Sequence, residues 1–207
     1  MTNIKGKFIV FEGIDGSGIS TQTGRLRSYL ESQYNIKTIL AKEPSEGPVG
    51  TLIRQVLSGR MQGIDDSSLA LLFAADRIDH NKNKILPVLE QGDFVICDRY
   101  LWSSYAYQGR KNDLNWLQEI NMYASKPDLT VFIRVRPEIS IRRITGSRFQ
   151  TEIFEKIDIL QQVYDNYVCL FAKWKESGLS VTEIDGERDA DTVEMEIRTA
   201  IEKHFIK

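Results

Sequence analysis

The fold of this chain is decided near its N-terminus, where residues 7–22 read "KFIVFEGIDGSGISTQ". The apolar run within residues 7–13 predicts a strand that is buried on both faces. It leads directly into Gly13 and Gly18, which together with Ser20 have the spacing of the motif G-x-x-x-x-G-K-[ST]. Such a loop, between a strand and the N-terminus of a helix, points several backbone N–H groups at one anion. We therefore predict a phosphate-binding loop (P-loop) that consists of Gly13, Ile14, Asp15, Gly16, Ser17, Gly18, Ile19, Ser20 and Thr21.

One position of this loop departs from the motif, because Ile19 stands where the motif has lysine. The lysine normally contacts the β- and γ-phosphates of a nucleotide. A hydrogen bond to a charged group contributes about 1.5–3 kcal/mol net, and a cation aimed at the transition state can raise a rate about a thousandfold or more. Because the backbone cradle is retained, we expect nucleotide binding to be weakened but to persist. We expect turnover to be lower by about two to four orders of magnitude.

The composition excludes several classes of function. The 207 residues are enough for one α/β domain, and their formal net charge of −2 gives no global basic footprint for nucleic acid. No apolar run approaches the roughly 20 residues that span a membrane. His80 and His204 lack the spacing of metal ligands, which argues against a histidine zinc site or a Ser-His-Asp hydrolase. Cys97 and Cys169 form no C-x-x-C pair, so we expect a reducing, cytoplasmic location.

The rest of the chain alternates short apolar runs with helical patterns. Four further strands are predicted at residues 36–41, 93–100, 128–135 and 178–185. Helical patterns include residues 49–58, 66–91 with an interruption near "HNKNK", and 152–176. Strands separated by helices indicate βαβ units, and hence a five-stranded parallel sheet with helices on both faces. We expect one such domain over residues 1–207.

Helical periodicity also predicts which faces of two helices are buried. In the helix that follows the loop, four residues lie on one side: Leu26, Tyr29, Leu30 and Tyr34. In the helix predicted at residues 152–176, the apolar stripe is Phe154, Ile157, Tyr164, Val168 and Phe171.

A set of short motifs occurs along the chain in a fixed order. They are "FEGIDGSG" and "ST" within residues 11–21, "KEP" at 42–44, "LLFAADR" at 71–77, "CDRY" at 97–100 and "SSYAYQG" at 103–109. Together these motifs resemble thymidylate kinase, the P-loop kinase that phosphorylates dTMP with ATP. The resemblance runs from about residue 7 to the final helix and is densest in the first 110 residues. It implies a P-loop NTPase fold with a mobile lid, with Mg²⁺ as cofactor and dTMP and ATP as partners.

The resemblance implies a binding site for the acceptor, dTMP. Arg54 matches the arginine that grips the dTMP phosphate, Phe73 the aromatic residue that stacks on thymine, and Arg77 the arginine that reaches a base carbonyl. The remaining acceptor residues, around the base and the deoxyribose, are Tyr100, Ser104, Tyr107 and Gln108. Ordinary structural roles remain open for several of them: Phe73 could be a core residue, and Arg77 could lie on a solvated helix face with Asp76.

The resemblance also assigns the residues around the transferred phosphate. Asp15 matches the loop carboxylate that lies near the acceptor's 3′-hydroxyl. Ser20 and Asp98 match the hydroxyl and the carboxylate that hold Mg²⁺. Arg99 matches the arginine that bridges the donor and acceptor phosphates.

The segment "PEISIRRITGSRFQTEIFE", residues 137–155, resembles the lid of the family, with the lid itself at about residues 142–152. Its arginines are Arg142, Arg143 and Arg148, around a flexible "TGS". Phosphoryl transfer requires cations on the equatorial oxygens of the transferred group, so a mobile basic loop has a clear purpose.

A small residue, Gly16, occupies the P-loop position at which some members of the family carry a basic residue. The chain therefore resembles the members that rely on lid arginines instead. Arg148 is the first choice for the catalytic lid cation and Arg143 the second, while Arg142 or Arg188 would stack on adenine.

The origin of Ile19 stays open at this point. The lysine was replaced deliberately, or the protein is a natural relative with weak or lost activity, or another cation, such as Lys5, Lys7 or a lid arginine, fills the gap. Two rival functions follow: a nucleotide-binding pseudokinase, and a kinase for dUMP or for a deoxynucleoside. The resemblance also implies a homodimer, with an interface on the helices near residues 49–91.

Overall fold

A computed structural model describes residues 6–145, 157–175 and 178–206 of the chain. Its five strands form one sheet in the order β2-β3-β1-β4-β5, and each neighbouring pair is parallel. The strands are β1 (Phe8–Glu12), β2 (Thr38–Lys42), β3 (Phe94–Asp98), β4 (Leu129–Arg134) and β5 (Val181–Asp185). The predicted five-stranded parallel sheet is therefore confirmed.

Helices connect the strands and cover the sheet on both sides. They are α1 (Ile19–Tyr34), α2 (Pro48–Leu57), α3 (Asp66–His80), α4 (Leu86–Glu90), α5 (Leu101–Tyr107), α6 (Leu114–Ile120), α7 (Pro137–Thr145), α8 (Ile157–Lys175) and α9 (Ala190–Phe205). None of these described helices is long and apolar enough to cross a membrane.

Strand β1 shows how the sheet separates two apolar layers. Ile9 and Phe11 face the cluster that contains residues of α1 and α9, whereas Phe8 and Val10 face a second cluster with Ile85. Successive side chains of a strand point to opposite faces, so a strand between two helical layers is apolar wherever its side chains pack against those layers. The continuous apolar run in the sequence has this physical cause.

The predicted interruption near "HNKNK" is a π-helical turn, Asn81–Ile85, between α3 and α4. The side-chain amide of Asn81 donates to the backbone carbonyl of Arg77 at 2.8 Å and to the hydroxyl of Tyr100 at 2.7 Å. Pro87, in the first turn of α4, has no N–H for the regular helical hydrogen bond. Such turns often mark functional sites, and this one lies beside two of the predicted acceptor residues.

The predicted buried face of α8 is correct at Phe171, which is buried, and at Tyr164, which packs against the same cluster, but wrong at Ile157 and Val168. Its buried residues are Leu160, Val163, Tyr167, Leu170 and Phe171, whereas Ile157 and Val168 are exposed; Phe154 lies outside the described residues. The helix packs on α5 and β4 through an aromatic cluster with Trp102 and Phe132, which selects one of two apolar faces. Periodicity alone does not distinguish two apolar faces of one helix.

The stripe predicted for α1 is correct except at its last residue. Leu26 and Leu30 are buried against the sheet, and Tyr29 packs on the same cluster. Tyr34 is exposed, and its hydroxyl donates to the carboxylate of Glu202 in α9 at 2.8 Å.

The corrected face of α8 can be tested with two truncations. Leu160→Ala should lower the free energy of unfolding by about 2–5 kcal/mol, because it leaves a cavity at a fully buried position. Val168→Ala, at a side chain that is 41% exposed, should change it by about 0.5 kcal/mol or less. Denaturant unfolding of both variants provides the measurement, and a larger loss for Val168→Ala would restore the face predicted from the sequence.

Candidate active site

The glycine-rich loop connects the end of β1 to the start of α1. Gly18 is the residue that precedes α1, and its φ of 92° lies in the left-handed region that favours glycine. Among the residues that the structure describes, no side chain caps the N-terminus of α1, and the first turn of this helix holds no acidic residue. The first N–H groups of the helix are therefore available to an anion, as the motif predicts.

The side chain of Ile19 packs into the core beneath the loop. It is 4% exposed and belongs to the apolar cluster that contains Phe11, Leu26 and Val193. Position 19 therefore contributes to packing beneath the loop and offers no charge to it.

Lys7 is excluded as the compensating cation. It precedes β1, at the N-terminal end of that strand, whereas the loop follows the C-terminal end. Its ammonium is 3.3 Å from the carboxylate of Asp128. A strand of this length spans about 17 Å, which is beyond the reach of a lysine side chain. Lys5 lies outside the described residues.

Two oxygen groups meet where the loop passes the end of β3. The hydroxyl of Ser20 donates to the carboxylate of Asp98, with 2.5 Å between Oγ and Oδ2. Mg²⁺ prefers oxygen ligands and is commonly held by one or two protein groups together with phosphate and water. Among the described residues no group of three or more His, Cys, Asp or Glu side chains could hold a metal by itself. The pair fits a Mg²⁺ that is shared with a bound nucleotide.

Arg99 and Asp15 join β3 to the loop. Nη2 of Arg99 is 2.7 Å from Oδ1 of Asp15, and Nη1 donates to the carbonyl of Gly13 at 2.7 Å. The hydroxyl of Tyr107 donates to the other oxygen of Asp15 at 3.2 Å. Burial acts to lower the pKa of Arg99, but Tyr107 and Asp15 outweigh it and raise that pKa, so the guanidinium stays charged. Arg99 also has a φ of 66°, which is strained for a residue other than glycine and common at functional sites.

The turn that carries Arg99 is held by Glu12, the last residue of β1. Its fully buried carboxylate accepts hydrogen bonds from the backbone N–H groups of Tyr100 and Ser103, at 3.0 and 3.3 Å. The hydroxyls of Ser103 and Tyr167 donate to its second oxygen, at 2.6 and 2.9 Å. Burial raises the pKa of Glu12, and the hydrogen bonds oppose this shift. Sequence reasoning missed Glu12, although a carboxylate within a strand buried on both faces is itself a signal of a site.

A cavity of about 1250 Å³ opens beside the loop. It brings together every residue that the sequence predicts for acceptor binding: Arg54, Phe73, Arg77, Arg99, Tyr100, Ser104, Tyr107 and Gln108. Asp15 and the "KEP" residues also line it. Phe73 lines the cavity wall and also packs in the small apolar cluster between α2 and α3, so its place in the core leaves it accessible to a ligand in the cavity.

Arg77 is buried in the floor of this cavity, at 1% exposure, and does not lie on a solvated helix face. Nη2 lies 2.8 Å from the carboxylate of Glu43 and donates to the carbonyl of Tyr100 and the hydroxyl of Ser104, both at 3.0 Å. Nη1 donates to the side-chain carbonyl of Asn121. Among the described residues Nε has no hydrogen-bond partner, so one buried donor remains unused.

Arg54 is linked to the loop that follows β2. Its guanidinium donates to the carbonyls of Pro44 and Ser45 and to the hydroxyl of Thr51, which orients it along one wall of the cavity. Asp76 of α3 accepts from the N–H of Ser45 at 2.7 Å and from its hydroxyl at 2.5 Å. Carbonyl contacts leave the positive charge of Arg54 unneutralised.

The structure covers the predicted lid only in part. Arg148 lies outside the described residues. Arg143 donates from Nη2 to the carbonyl of Gly186 at 2.9 Å, so in this structure its guanidinium contacts the connection after β5. Arg188 pairs with Glu196 at 2.5 Å on the surface.

Helix α7 packs directly on the loop. The hydroxyl of Ser140 donates to the carbonyl of Asp15, and the carbonyl of Ser140 would lie 2.8 Å from a side chain added at Gly16. The small residue at position 16 is therefore required by packing as well as by its φ of 75°.

A parallel sheet with a glycine-rich loop between β1 and an uncapped helix defines this protein as a P-loop NTPase-like α/β protein. The sequence model of the thymidylate kinase family matches residues 11–197. A probable thymidylate kinase of Pyrococcus horikoshii is 42% identical over 173 residues, covering 81% of this chain and 83% of that protein. One from Staphylothermus marinus is 36% identical over the full length of both, and one from Methanocaldococcus jannaschii is 44% identical over 79% of this chain and 80% of that protein. The chain belongs to the thymidylate kinase family.

The buried carboxylate of Glu12 gives a pH-dependent prediction. Because its pKa in the folded protein is raised above the ordinary 4.5, the folded state binds this proton more tightly than the unfolded chain. Its contribution to stability therefore becomes less favourable as pH rises from about 4.5 through the folded pKa. Glu12→Gln removes this titration. It also places an amide N–H₂ donor next to two hydroxyl donors, which should lower the free energy of unfolding by about 1–3 kcal/mol.

Melting temperatures of the parent chain and of Glu12→Gln should therefore differ more at pH 5 than at pH 8. The exposed residue Glu90, changed to Gln, is the matched control for the loss of a carboxylate. A difference that grows toward pH 8 would contradict the direction of the pKa shift.

Proposed function

We propose that this protein transfers the γ-phosphoryl group of ATP to dTMP and so forms dTDP. One observation carries the proposal: a single cavity gathers all of the residues predicted to bind the acceptor, and it is also lined by Asp15 of the phosphate-binding loop, which pairs with Arg99. Membership of the thymidylate kinase family supports the same reaction.

On the acceptor side, the base stacks on Phe73. The unused Nε donor of Arg77 and the hydroxyl of Ser104 donate hydrogen bonds to the polar edge of the base. The hydroxyl of Ser104 accepts from Arg77, so its own proton is free to be donated to a base carbonyl. Gln108 completes the base site, and Tyr100 and Tyr107 enclose the deoxyribose. Arg54 binds the acceptor phosphate with the charge that its carbonyl contacts leave available.

In the transfer itself, an oxygen of the dTMP phosphate forms a bond to the γ-phosphorus. The bond from that phosphorus to the oxygen it shares with the β-phosphate breaks, and ADP leaves. An ionised phosphate needs no strong general base, so the protein contributes positioning and charge neutralisation. Arg99, held by Asp15, bridges the two phosphates.

Mg²⁺, held by Ser20 and Asp98 together with the nucleotide, would neutralise charge on the β- and γ-oxygens. The lid arginine Arg148 remains the first choice for a further cation and Arg143 the second. Arg143 must exchange its contact with Gly186 for the phosphate to act in this way. Arg142 or Arg188 would contact adenine.

A pseudokinase is the second candidate, and the packing of Ile19 in the apolar cluster favours it. A protein of this kind would bind dTMP and nucleotide in the same cavity with little turnover. Two results together would favour the pseudokinase: dTMP binding measured by calorimetry, and no dTMP-dependent ADP release either before or after lysine is restored at position 19.

The activity test is ADP release in the presence of MgATP and dTMP, with dUMP and thymidine as alternative acceptors. We expect dTMP to be preferred, and thymidine to be inactive because Arg54 would have no phosphate to bind. Higher activity with dUMP or thymidine would replace the proposal by one of the rival kinases.

Ile19→Lys should raise the turnover number by about 10²- to 10⁴-fold, because it returns a cation to the transferred phosphate. Ile19→Met is the matched control, since it has a flexible apolar stem without the charge, and it should leave turnover within about threefold of the parent. The aliphatic stem of lysine can remain in the apolar cluster while its ammonium reaches the loop. Full activity in the parent chain that lysine does not change would show that this account of position 19 is wrong.

We also propose that the protein forms a homodimer through α3. Leu71, Ala75 and Ile78 are exposed and lie four and three residues apart, so they form one apolar stripe on this helix. Leu71→Glu should convert dimer to monomer in light-scattering measurements at micromolar concentration. Met122→Glu, at an exposed apolar side chain after α6, should remain a dimer. A monomeric parent, or equal behaviour of both variants, would contradict this interface.

A further inference from the structure

Lys42 is a cation at the edge of the candidate site to which neither the sequence motifs nor the proposed function assigns a role. It is the last residue of β2, and it pairs in register with Asp98, the last residue of β3. Its side chain is exposed and lines the same cavity as Arg54 and Arg99.

The face of the sheet on which Lys42 lies follows from the alternation of β2. Leu40 packs against the cluster that contains α1, and Ala41 belongs to the cluster on the other side of the sheet. Because alternate residues share a face, Lys42 lies on the α1 side. Asp98 lies on that side too, since its carboxylate accepts from Ser20 in the first turn of α1. Lys42 on β2 therefore lies directly beside Asp98 on the adjacent strand β3, and so next to the Ser20–Asp98 pair.

Most of the other positively charged side chains that line the cavity form ion pairs or hydrogen bonds with described residues, whereas the side chain of Lys42 does not. Arg99 is paired with Asp15 at 2.7 Å and Arg77 with Glu43 at 2.8 Å. For the side-chain ammonium of Lys42, the described part of the chain supplies neither an ion pair nor a hydrogen bond.

Arg60 also lines the cavity, but it belongs to the connection after α2 and not to a strand end. Among the described residues at the strand ends beside the phosphate-binding loop, Lys42 is therefore a cation without an ion pair.

We propose that Lys42 contacts the transferred phosphoryl group and supplies part of the charge that Ile19 does not. The proposal rests on the proposed function, since it assigns a further residue to the same reaction. The ammonium of Lys42 pairs with non-bridging oxygens of the γ-phosphate, from the β2 side of the loop, while Arg99 approaches from β3 and binds the acceptor as well. Negative charge spreads over the equatorial oxygens during transfer, so a cation at this position favours the transition state over the bound substrate.

The test is a double-mutant cycle between positions 42 and 19, measured as ADP release with dTMP and MgATP. Lys42→Met in the parent chain should lower the turnover number by about 10- to 100-fold, the effect of one hydrogen bond to a charged group. It should leave the KM for dTMP within about threefold. Lys42→Arg should retain most of the activity, because it keeps the charge at the same position.

In a chain that carries Ile19→Lys, the restored lysine takes over the same oxygens, and Lys42→Met should cost about threefold or less. This dependence of one substitution on the other is the signature of two cations that serve one group. A merely structural effect of Lys42 would be equal in both backgrounds and would lower the melting temperature.

Lys126→Met is the matched control. Lys126 is an exposed lysine that precedes β4, so it lies at the N-terminal ends of the strands, whereas the loop lies at their C-terminal ends. Its replacement by methionine changes the net charge by the same amount as Lys42→Met. It should leave turnover unchanged in both backgrounds.

Three results would overturn the proposal. Lys42→Met could act like Lys126→Met, it could lower turnover equally with Ile19 and with lysine at position 19, or it could raise only the KM for dTMP. Absence of dTMP-dependent ADP release from every variant, including Ile19→Lys alone, would instead refute the proposed function, and this inference with it.

Discussion

The arrangement of the site depends on the carboxylate of Glu12. It ends the central strand β1, is removed from water, and accepts hydrogen bonds from two backbone N–H groups of the turn after β3. A buried N–H group without a partner costs about 1–3 kcal/mol, so each of these contacts opposes any other path of the turn. Tyr167 of α8 donates to the same carboxylate, which ties the turn to the aromatic layer behind it. One acidic residue thus fixes the relation between the loop and the end of β3.

Arg99 is consequently held from two directions. Its backbone, in a left-handed conformation, is fixed by the contacts that Tyr100 makes with Glu12, and its guanidinium is fixed by Asp15 and the carbonyl of Gly13. A guanidinium that is already oriented need not reorganise when charge develops beside it, which is the condition for effective electrostatic stabilisation. The strained φ of Arg99 is maintained because the surrounding hydrogen bonds leave no relaxed alternative.

The sequence predicts those parts of this structure that depend on local pattern. Continuous apolar runs identify the strands, because a strand that is buried on both faces requires apolar side chains. The glycine spacing identifies the loop, because the loop backbone requires glycine at those positions. Pattern did not determine the buried face of α8, where two faces are apolar and only packing against Trp102 and Phe132 selects one. It did not reveal the role of Glu12 either, since the four donors to this carboxylate come from distant parts of the chain. The charge state of the cavity, with Arg77 paired and Lys42 unpaired, likewise exists only after folding.

Position 19 separates two properties of the loop that usually occur together. Its shape is set by glycine conformations and by the packing of β1, α1 and α7, and the apolar side chain of Ile19 adds to that packing. Its charge would come from a lysine that is absent. Backbone N–H groups grip a phosphate to a similar extent before and during transfer, whereas a cation on the moving group acts mainly in the transition state. The loss of lysine should therefore affect turnover more than nucleotide affinity, and cations elsewhere on the cavity rim gain importance for the rate alone.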